Sequence, residues 1–458
     1  MRQFSRSNAI VATLALGSAA AFAGPPAYYY RQLESLPGGR TMPTDLSESG
    51  LIAGASGSYA VGQGPFAFVG NATGGVTNVD TMSFTTSSGD VVNAAGQVAG
   101  VGHTDFGNNQ WFNIIVRHTP GQGMQFLGCL NPSTNGQVHG INAHGDVVGY
   151  WNTVPGSFVP SAIYYSEATG LQSINPATAD SSGANDINDS RQIAGWVSWV
   201  EGFRNAVVWD NGALIDIGAT LNATYSEAQF INNAGVVAGT ANIAGETRPF
   251  LWTQAGGVTL IPLPADASWV SLDAFNEAGT AFGTVSHGAL FDETIYRFSL
   301  AGGFDDLGTL APGVACRIAD ANDNGDLVGL AMDPAYETVP ILFTEATGFR
   351  DLTKLTTSPI PWFQPRATQI NNAGQIVVLG WDDQSMDVAA LLSPVAVGDL
   401  NCDGATDILD INAFVMAVSS EEQYVQYYPT CNFINADTNK DGVVNVLDVN
   451  SFVALLGE

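Results

Sequence analysis

One short phrase recurs along most of the chain and restricts its fold more than any other feature. The phrase is an apolar residue, Asn, two further residues and Gly, followed by two or three apolar residues and another Gly. Eight copies occur at intervals of 44 to 49 residues. The first copy has Ser47 in place of Asn, and the other seven have Asn93, Asn142, Asn188, Asn232, Asn276, Asn322 and Asn371. The copy at Asn188 has Arg191 where Gly is expected. A period in the forties is typical of a β-propeller with one four-stranded blade per repeat.

The sequence inside one repeat predicts four short strands. Asn and Gly on either side of two residues favour a tight turn whose last position has a positive φ. The third strand is apolar and aromatic, as in residues 249–252, and a Gly-containing turn follows it, as in residues 345–348. A fourth strand then follows, for example at residues 214–218.

The two ends of the repeat array predict how the ring closes. Residues 30–36 resemble a fourth strand without a blade, whereas the last repeat stops at a third strand, residues 389–392. Because unpaired blade edges are unfavourable, we expect the N-terminal strand to complete the last blade. The predicted fold is all-β over residues 24–395: a propeller with eight blades preferred and seven possible. An open β-solenoid is the alternative.

Three phrases carry a resemblance to a known repeat family. They are INNAGVVAG at residues 231–239, PFLW at residues 249–252 and DDLGTL at residues 305–310. These phrases resemble the bacterial extracellular HAF repeat family. The resemblance implies a secreted, propeller-like repeat protein and implies no particular reaction.

Two loops near the C-terminus match the pattern of a calcium loop, with alternating oxygen ligands and Gly at the sixth position. The predicted ligands of loop one, residues 399–410, are Asp399, Asn401, Asp403, the Ala405 carbonyl, Asp407 and Asp410. Those of loop two, residues 437–448, are Asp437, Asn439, Asp441, the Val443 carbonyl, Asn445 and Asp448. Oxygen ligands with several carboxylates suit a hard cation. We therefore expect two calcium ions.

Residues 320–326 imitate the first half of such a loop, but Ala331 stands where the closing carboxylate belongs, so we interpret them as a repeat turn.

Each calcium loop leads directly into an apolar helical stretch, residues 411–418 and 449–456, without a helix before it. This pairing, with Asp at the twelfth position, resembles a type I dockerin, and the resemblance covers residues 398–458. It implies a small all-α module that docks to a cohesin-like protein. In that family the residues just before the last ligand contact the partner. Here they are Ile408, Leu409, Val446 and Leu447, which are apolar where cellulosomal dockerins have polar pairs. The alternative is that calcium only folds the module.

Residues 1–23 have the features of a cleaved signal peptide, with Arg2 and Arg6 before a mostly apolar run and a small-x-small site at residues 21–23. We therefore expect a secreted protein without a membrane span.

Secretion permits disulfides, and we expect a bridge between Cys402 and Cys431. Cys129 and Cys316 are either a second bridge or free thiols. The net charge of -29 excludes nucleic acid as a partner.

The chain has no recognisable catalytic signature, since its five His match no zinc spacing and no G-x-S-x-G or phosphate-binding loop occurs. The loops after the second strands do carry aromatic and acidic residues: Tyr150, Trp151, Trp196, Trp199, Glu201, Glu246, Asp292, Glu293, Asp333, Tyr336, Glu337, Trp381, Asp382 and Asp383. Aromatic rings there can stack on sugars and carboxylates can cleave glycosides. The favoured interpretation is that the Trp residues pack between blades and the acids are solvated.

The leading hypothesis is a secreted, non-catalytic binding or surface-assembly protein. Its propeller recognises an extracellular ligand, for which a polysaccharide is one candidate, and its dockerin docks to a cohesin-like partner in a calcium-dependent manner. The alternative is a propeller-fold carbohydrate-active enzyme, either a glycoside hydrolase or a polysaccharide lyase. A third hypothesis is a structural component of the cell envelope.

Overall fold

The structure is a computed structural model that describes residues 28–456, except for 38, 59–63, 73, 83, 106–110, 132–133, 157, 201, 290, 357, 402–405 and 429–430. The predicted signal peptide, residues 1–23, lies outside the described residues. Within them, no helix is long and apolar enough to cross a membrane.

The repeats form eight consecutive four-stranded antiparallel units, counted over the described ranges. The first four blades consist of β2 (Thr41–Leu46), β3 (Ile52–Ser56), β4 (Phe66–Gly70) and β5 (Val76–Asn78); β6 (Thr86–Val92), β7 (Val98–Asp105), β8 (Trp111–Thr119) and β9 (Gly123–Gly128); β10 (Gly136–Ile141), β11 (Val147–Asn152), β12 (Pro160–Ser166) and β13 (Gly170–Ser173); β14 (Ser181–Ile187), β15 (Ile193–Val200), β16 (Phe203–Asp210) and β17 (Ala213–Asp216).

The other four blades continue in the same order. They consist of β18 (Tyr225–Ile231), β19 (Val237–Ile243), β20 (Glu246–Thr253) and β21 (Gly257–Leu260); the split first strand β22 (Trp269–Val270) and β23 (Ala274–Phe275) with β24 (Thr280–Ser286), β25 (Glu293–Ser299) and β26 (Gly303–Gly308); β27 (Ala315–Ala321), β28 (Leu327–Met332), β29 (Thr338–Thr344) and β30 (Gly348–Asp351); and β31 (Phe363–Ile370), β32 (Ile376–Trp381), β33 (Asp387–Pro394) and β1 (Tyr28–Gln32).

The ring closes through the N-terminal strand, as predicted. Strand β1 pairs antiparallel with β33, with Tyr28 opposite Pro394 and Gln32 opposite Ala390. The strand begins two residues earlier than the predicted residues 30–36. Across the same seam, the Gln369 side chain donates a hydrogen bond of 3.1 Å to the Thr44 carbonyl. The last blade therefore combines strands from both ends of the repeat array, and the fold is a β-propeller.

The recurring Asn links each blade to the next. Its Oδ1 accepts the backbone N–H four residues on, as in Asn371 to Gln375 at 3.0 Å, which holds the turn between the first and second strands. Its Nδ2 donates to a backbone carbonyl of the following repeat at 3.0 to 3.2 Å. Ser47 lacks this donor, so the bond is missing between the first and second blades. The turn prediction is confirmed, since Gly96 has φ 76° and Arg191, in the departing copy, has φ 65°.

The core lies between neighbouring blades. The residue five positions after each Asn is buried in every repeat, and these residues are Ile52, Val98, Val147, Ile193, Val237, Ala281, Leu327 and Ile376. They form part of apolar clusters that join strands of adjacent blades, for example Val147 with Ile115 and Trp151. A blade cannot bury both of its faces alone, so this packing makes the ring the unit of stability.

The C-terminal segment is helical. It contains α1 (Ile411–Ser419), α2 (Glu421–Tyr427) and α3 (Val449–Leu455), with 3₁₀ turns at Ile408–Asp410, Phe433–Ala436 and Val446–Asp448. Phe414 of α1 stacks on Phe452 of α3 with ring centroids 4.0 Å apart. Leu400, Tyr424 and Cys431 complete a small core around this pair.

Candidate functional site

The two predicted calcium loops have the same local structure. Each twelfth-position carboxylate folds back on its loop: Asp410 accepts N–H bonds from Asn401 at 2.8 Å and Asp407 at 2.9 Å. Asp448 accepts the equivalent bonds from Asn439 at 3.0 Å and Asn445 at 2.9 Å. Asp403 and Ala405 of loop one lie outside the described residues, whereas loop two is described throughout.

The N-terminal half of loop two is held by its first ligand position. Asp437 accepts the N–H groups of Asp441 at 3.0 Å and Gly442 at 2.8 Å. Gly442 has φ 89°, a conformation that favours Gly, which explains the Gly at the sixth position. The Asn445 side chain donates to the Val443 carbonyl at 3.2 Å, so these two predicted ligands are also neighbours.

Three carboxylates of these loops are buried without an ion pair to another described residue. Asp410, Asp437 and Asp448 are buried, and in the described part of the chain none of them forms an ion pair with Lys, Arg or His. Buried carboxylates are costly unless they are paired or bind a metal. No three His, Cys, Asp or Glu side chains converge tightly enough among the described residues to form a metal cluster by themselves. The donor set of loop two, with carboxylates, amides and a carbonyl, nevertheless fits Ca²⁺.

The four predicted partner-binding residues lie on the surface. Ile408, Leu409, Val446 and Leu447 are 72%, 61%, 71% and 66% exposed. They occupy the 3₁₀ turns that precede α1 and α3, and the N–H of each Leu is bonded to the side chain of Asp407 or Asn445. The loop geometry thus fixes the position of these apolar side chains while leaving them in solvent.

The cysteines divide into two groups. Cys129 and Cys316 are free, the first exposed and the second buried. Cys431 is disulfide-bonded. Its predicted partner, Cys402, lies outside the described residues, so the pairing stays a prediction.

The loops that join second and third strands share one side of the ring, which we call the loop face. The predicted aromatic residues of this face differ in burial. Trp151 and Trp196 are buried, whereas Tyr336 and Trp381 are exposed. Trp151 donates from its indole nitrogen to Thr134 at 2.6 Å, which marks it as a structural residue.

Four of the eight predicted carboxylates of the loop face are engaged locally. Asp333 and Asp382 accept N–H groups of their own turns, Glu293 pairs with Arg317 at 3.2 Å and Glu246 pairs with Arg248 at 3.2 Å. Glu201 lies outside the described residues. Residues 320–326 form the repeat turn, as predicted, with the Gly325 N–H bonded to the Asn322 carbonyl at 3.1 Å.

Sequence reasoning missed several exposed apolar residues of the same face. Phe158 and Phe203 precede or begin third strands, and Trp269 and Phe363 begin first strands. Phe158 lies in a loop after a second strand, like the predicted set, whereas Phe203, Trp269 and Phe363 stand at strand starts outside those loops. An aromatic residue next to a predicted strand start was the signal available.

Three aspartates on the innermost strands connect blades around the axis. Asp45, Asp186 and Asp320 each accept the N–H of the next residue and an N–H of the following blade, from Val92 at 2.7 Å, Ile231 at 2.8 Å and Ile370 at 2.9 Å. Burial raises the pKa of Asp45 and Asp186 to about 6 and that of Asp320 to about 7. These groups therefore titrate near neutral pH.

No family model and no curated protein matches the chain. Among solved structures, it is similar to a streptogramin B lyase, with 11% identity and a TM-score of 0.38 over 80% of this chain and 97% of that one. It is also similar to the β-propeller domain of the Trilobed protease from Pyrococcus furiosus, with 10% identity and a TM-score of 0.43 over 65% and 91%. At these TM-scores the similarities carry no argument about activity. The propeller fold rests on the strand order and the closed ring.

Proposed function

We propose that this chain is a secreted, non-catalytic assembly protein whose propeller binds an extracellular ligand and whose C-terminal module docks to a cohesin-like protein when calcium is bound. The observation that carries the proposal is the repeated loop geometry at Asp410 and Asp448. In both loops a buried carboxylate that forms no ion pair with the residues the structure describes lies next to an exposed apolar pair.

Bound calcium would supply the positive counter-charge for the buried carboxylates and would fix the loops. The chain's own residues then position the surface that contacts the partner. Asp407 and Asn445 orient the turns through the bonds to Leu409 and Leu447, and the apolar pairs at residues 408–409 and 446–447 present a hydrophobic surface to the partner. Because apolar contact area contributes about 25 cal/mol per Å² on burial, these pairs are suited to drive association.

The test uses the mature full-length chain as bait against the secreted and envelope proteins of its source, in calcium or in EGTA. We expect calcium-dependent capture of a protein with a cohesin-like domain, followed by direct binding of that purified domain. The double variant Asp410→Ala with Asp448→Ala removes capture and the calcium response together. The double variant Leu409→Arg with Leu447→Arg removes capture while the module still becomes protease-resistant in calcium.

Two results refute the docking proposal. One is capture that is equal in calcium and in EGTA. The other is unchanged binding of the purified domain by the Leu409→Arg with Leu447→Arg variant, which would show that the exposed apolar pairs are not the contact surface.

A further inference from the structure

A cleft of about 850 Å³ opens on the loop face between the third, fourth and fifth blades. The residues that matter for its chemistry are Phe158, Asp180, Trp196, Arg204 and Tyr225. A volume of this size accommodates a ligand of several rings. The cleft is distinct from the C-terminal module and from the axis of the ring.

Arg204 lines the cleft and contacts two aromatic rings and a carboxylate. Its guanidinium carbon lies 3.8 Å from the centroid of a Trp196 ring and 5.6 Å from that of Tyr225. Its Nη1 donates to the Tyr225 hydroxyl at 3.4 Å and lies 3.7 Å from a Glu227 oxygen. The Tyr225 hydroxyl in turn donates to Glu227, and Asn185 donates to the other oxygen of that carboxylate at 2.8 Å.

This arrangement leaves hydrogen-bonding capacity for a ligand. Nε and Nη2 of Arg204 make no hydrogen bond with any residue that the structure describes. The side chain is 32% exposed, so these donors are within reach from solvent. Asp180 also lines the cleft and is exposed, and its backbone N–H donates to the Ser198 carbonyl at 2.8 Å. Among the described residues, the cleft thus combines two Arg204 donors and one carboxylate that make no side-chain hydrogen bond.

Phe158 provides an aromatic surface at the rim. It is 62% exposed, yet it is braced edge-on by Tyr150, with ring centroids 5.5 Å apart and planes at 79°. Tyr150 is itself supported by His139 at 5.4 Å. A supported ring that faces solvent loses little entropy when a ligand stacks on it, which suits Phe158 to be a stacking platform.

The cleft continues beyond Tyr225. A second cleft of about 490 Å³ shares Gly202 and Tyr225 with the first and is lined by Phe203 of the fourth blade and by Asn242 and Thr247 of the fifth. We call the two clefts together the blade 3–5 groove. Its length across three blades indicates an extended occupant rather than a single ring.

The chemistry of the groove selects among extended ligands. A polyanion is disfavoured by the net charge of -29 and by Asp180 itself. An apolar peptide would bury Asp180 and the free donors of Arg204 without partners, which is costly. A sugar chain has apolar C–H faces for Phe158 and hydroxyl groups that both donate to a carboxylate and accept from a guanidinium. We propose that the blade 3–5 groove binds a neutral oligosaccharide segment, with Phe158 stacking on a sugar ring and Asp180 and Arg204 bonding its hydroxyls.

This inference specifies the ligand-binding part of the proposed function and rests on it. The test is affinity electrophoresis of the mature full-length chain in native gels that contain cellulose derivative, xylan, mannan or starch, with polygalacturonate and alginate as anionic comparators. Calorimetry with oligosaccharides of the retained polysaccharide then gives affinities. Each gel is run in calcium and in EGTA, because retention through the groove is expected to be independent of calcium.

Phe158→Ala and Asp180→Asn are the test variants, and Tyr336→Ala is the matched control. Tyr336 is also 62% exposed on the loop face and is braced edge-on by Phe291 at 5.8 Å, but it lies on the seventh blade. We expect retention by a neutral polysaccharide, a fivefold to tenfold weaker affinity in Phe158→Ala and Asp180→Asn, and no change in Tyr336→Ala.

Three outcomes overturn the inference: no retention by any neutral polysaccharide, retention by the anionic comparators alone, or equal affinities in all three variants. The first two leave calcium-dependent docking untouched, so the capture experiment still decides that part of the proposed function. Equal affinities would show that the propeller binds sugar elsewhere.

Discussion

Replacing Asn371 by Ala tests whether the recurring Asn holds the ring together. Asn371 is buried, and three hydrogen bonds depend on its side chain: Oδ1 accepts the Gln375 N–H at 3.0 Å, and Nδ2 donates to the Gln375 side chain at 2.8 Å and to the Ser47 carbonyl at 3.1 Å. The last bond crosses the seam between the last and first blades. A net hydrogen bond contributes about 1 kcal/mol, and acceptors left buried without partners add to the cost. We therefore expect a loss of about 3 kcal/mol in the free energy of unfolding.

Tryptophan fluorescence during urea unfolding measures this loss selectively. All nine Trp residues occur at or before Trp381, so the C-terminal module does not contribute to the signal. The control is Gln384→Ala, which shortens an exposed side chain that makes no hydrogen bond with other described residues. A change in Asn371→Ala no larger than in this control, within about 0.5 kcal/mol, would refute the clamp between blades.

Three further predictions concern the junction of the first and second blades, the axis and the calcium loops. Ser47→Asn supplies the missing donor to the Asn93 carbonyl and should raise the free energy of urea unfolding by about 1 kcal/mol; a decrease would mean that the first turn cannot accept Asn. Folding raises the pKa of Asp45, Asp186 and Asp320 from 3.8 to about 6, 6 and 7, so these groups bind protons more tightly in the folded chain. Burial lowers the pKa of His103, His118 and His139 from 6.5, which opposes this effect at lower pH. The melting temperature in EGTA should therefore rise as the pH falls from 8 to 6.5, and a flat or falling curve over that interval would contradict the raised values. Asp410→Ala with Asp448→Ala should abolish the calcium-dependent resistance of the C-terminal module to proteolysis in the full-length chain, and retained resistance would place calcium elsewhere.

The repeat count and the closure of the propeller were predictable because they depend on periodic local signals. Each turn needs Asn and a positive φ at fixed offsets, and each blade needs buried apolar residues such as Val237 at a constant distance from that turn. The unpaired strand at the N-terminus and the missing strand at the C-terminal end of the array are also visible without coordinates. The exact start of β1 at Tyr28, two residues before the predicted strand, depends on pairing with β33 and was not predictable.

The two candidate sites differ in how far the sequence alone predicts them. The calcium loops are local, since all ligands of each loop lie within twelve consecutive residues, and the sequence alone predicts them. The structure added the burial of Asp410 and Asp448 and the exposure of Leu409 and Leu447.

The blade 3–5 groove is different, because it joins residues from three repeats. Phe158 and Asp180 are separated from Tyr225 by one or two blade lengths of chain, and no spacing rule connects them. The sequence by itself determined the propeller, its closure and the paired C-terminal loops, since these follow from contacts within one repeat or between equivalent positions of successive repeats. Which Trp is buried, which ring faces solvent and which side chains surround Arg204 were decided only by the tertiary structure, because they depend on how neighbouring blades pack against one another.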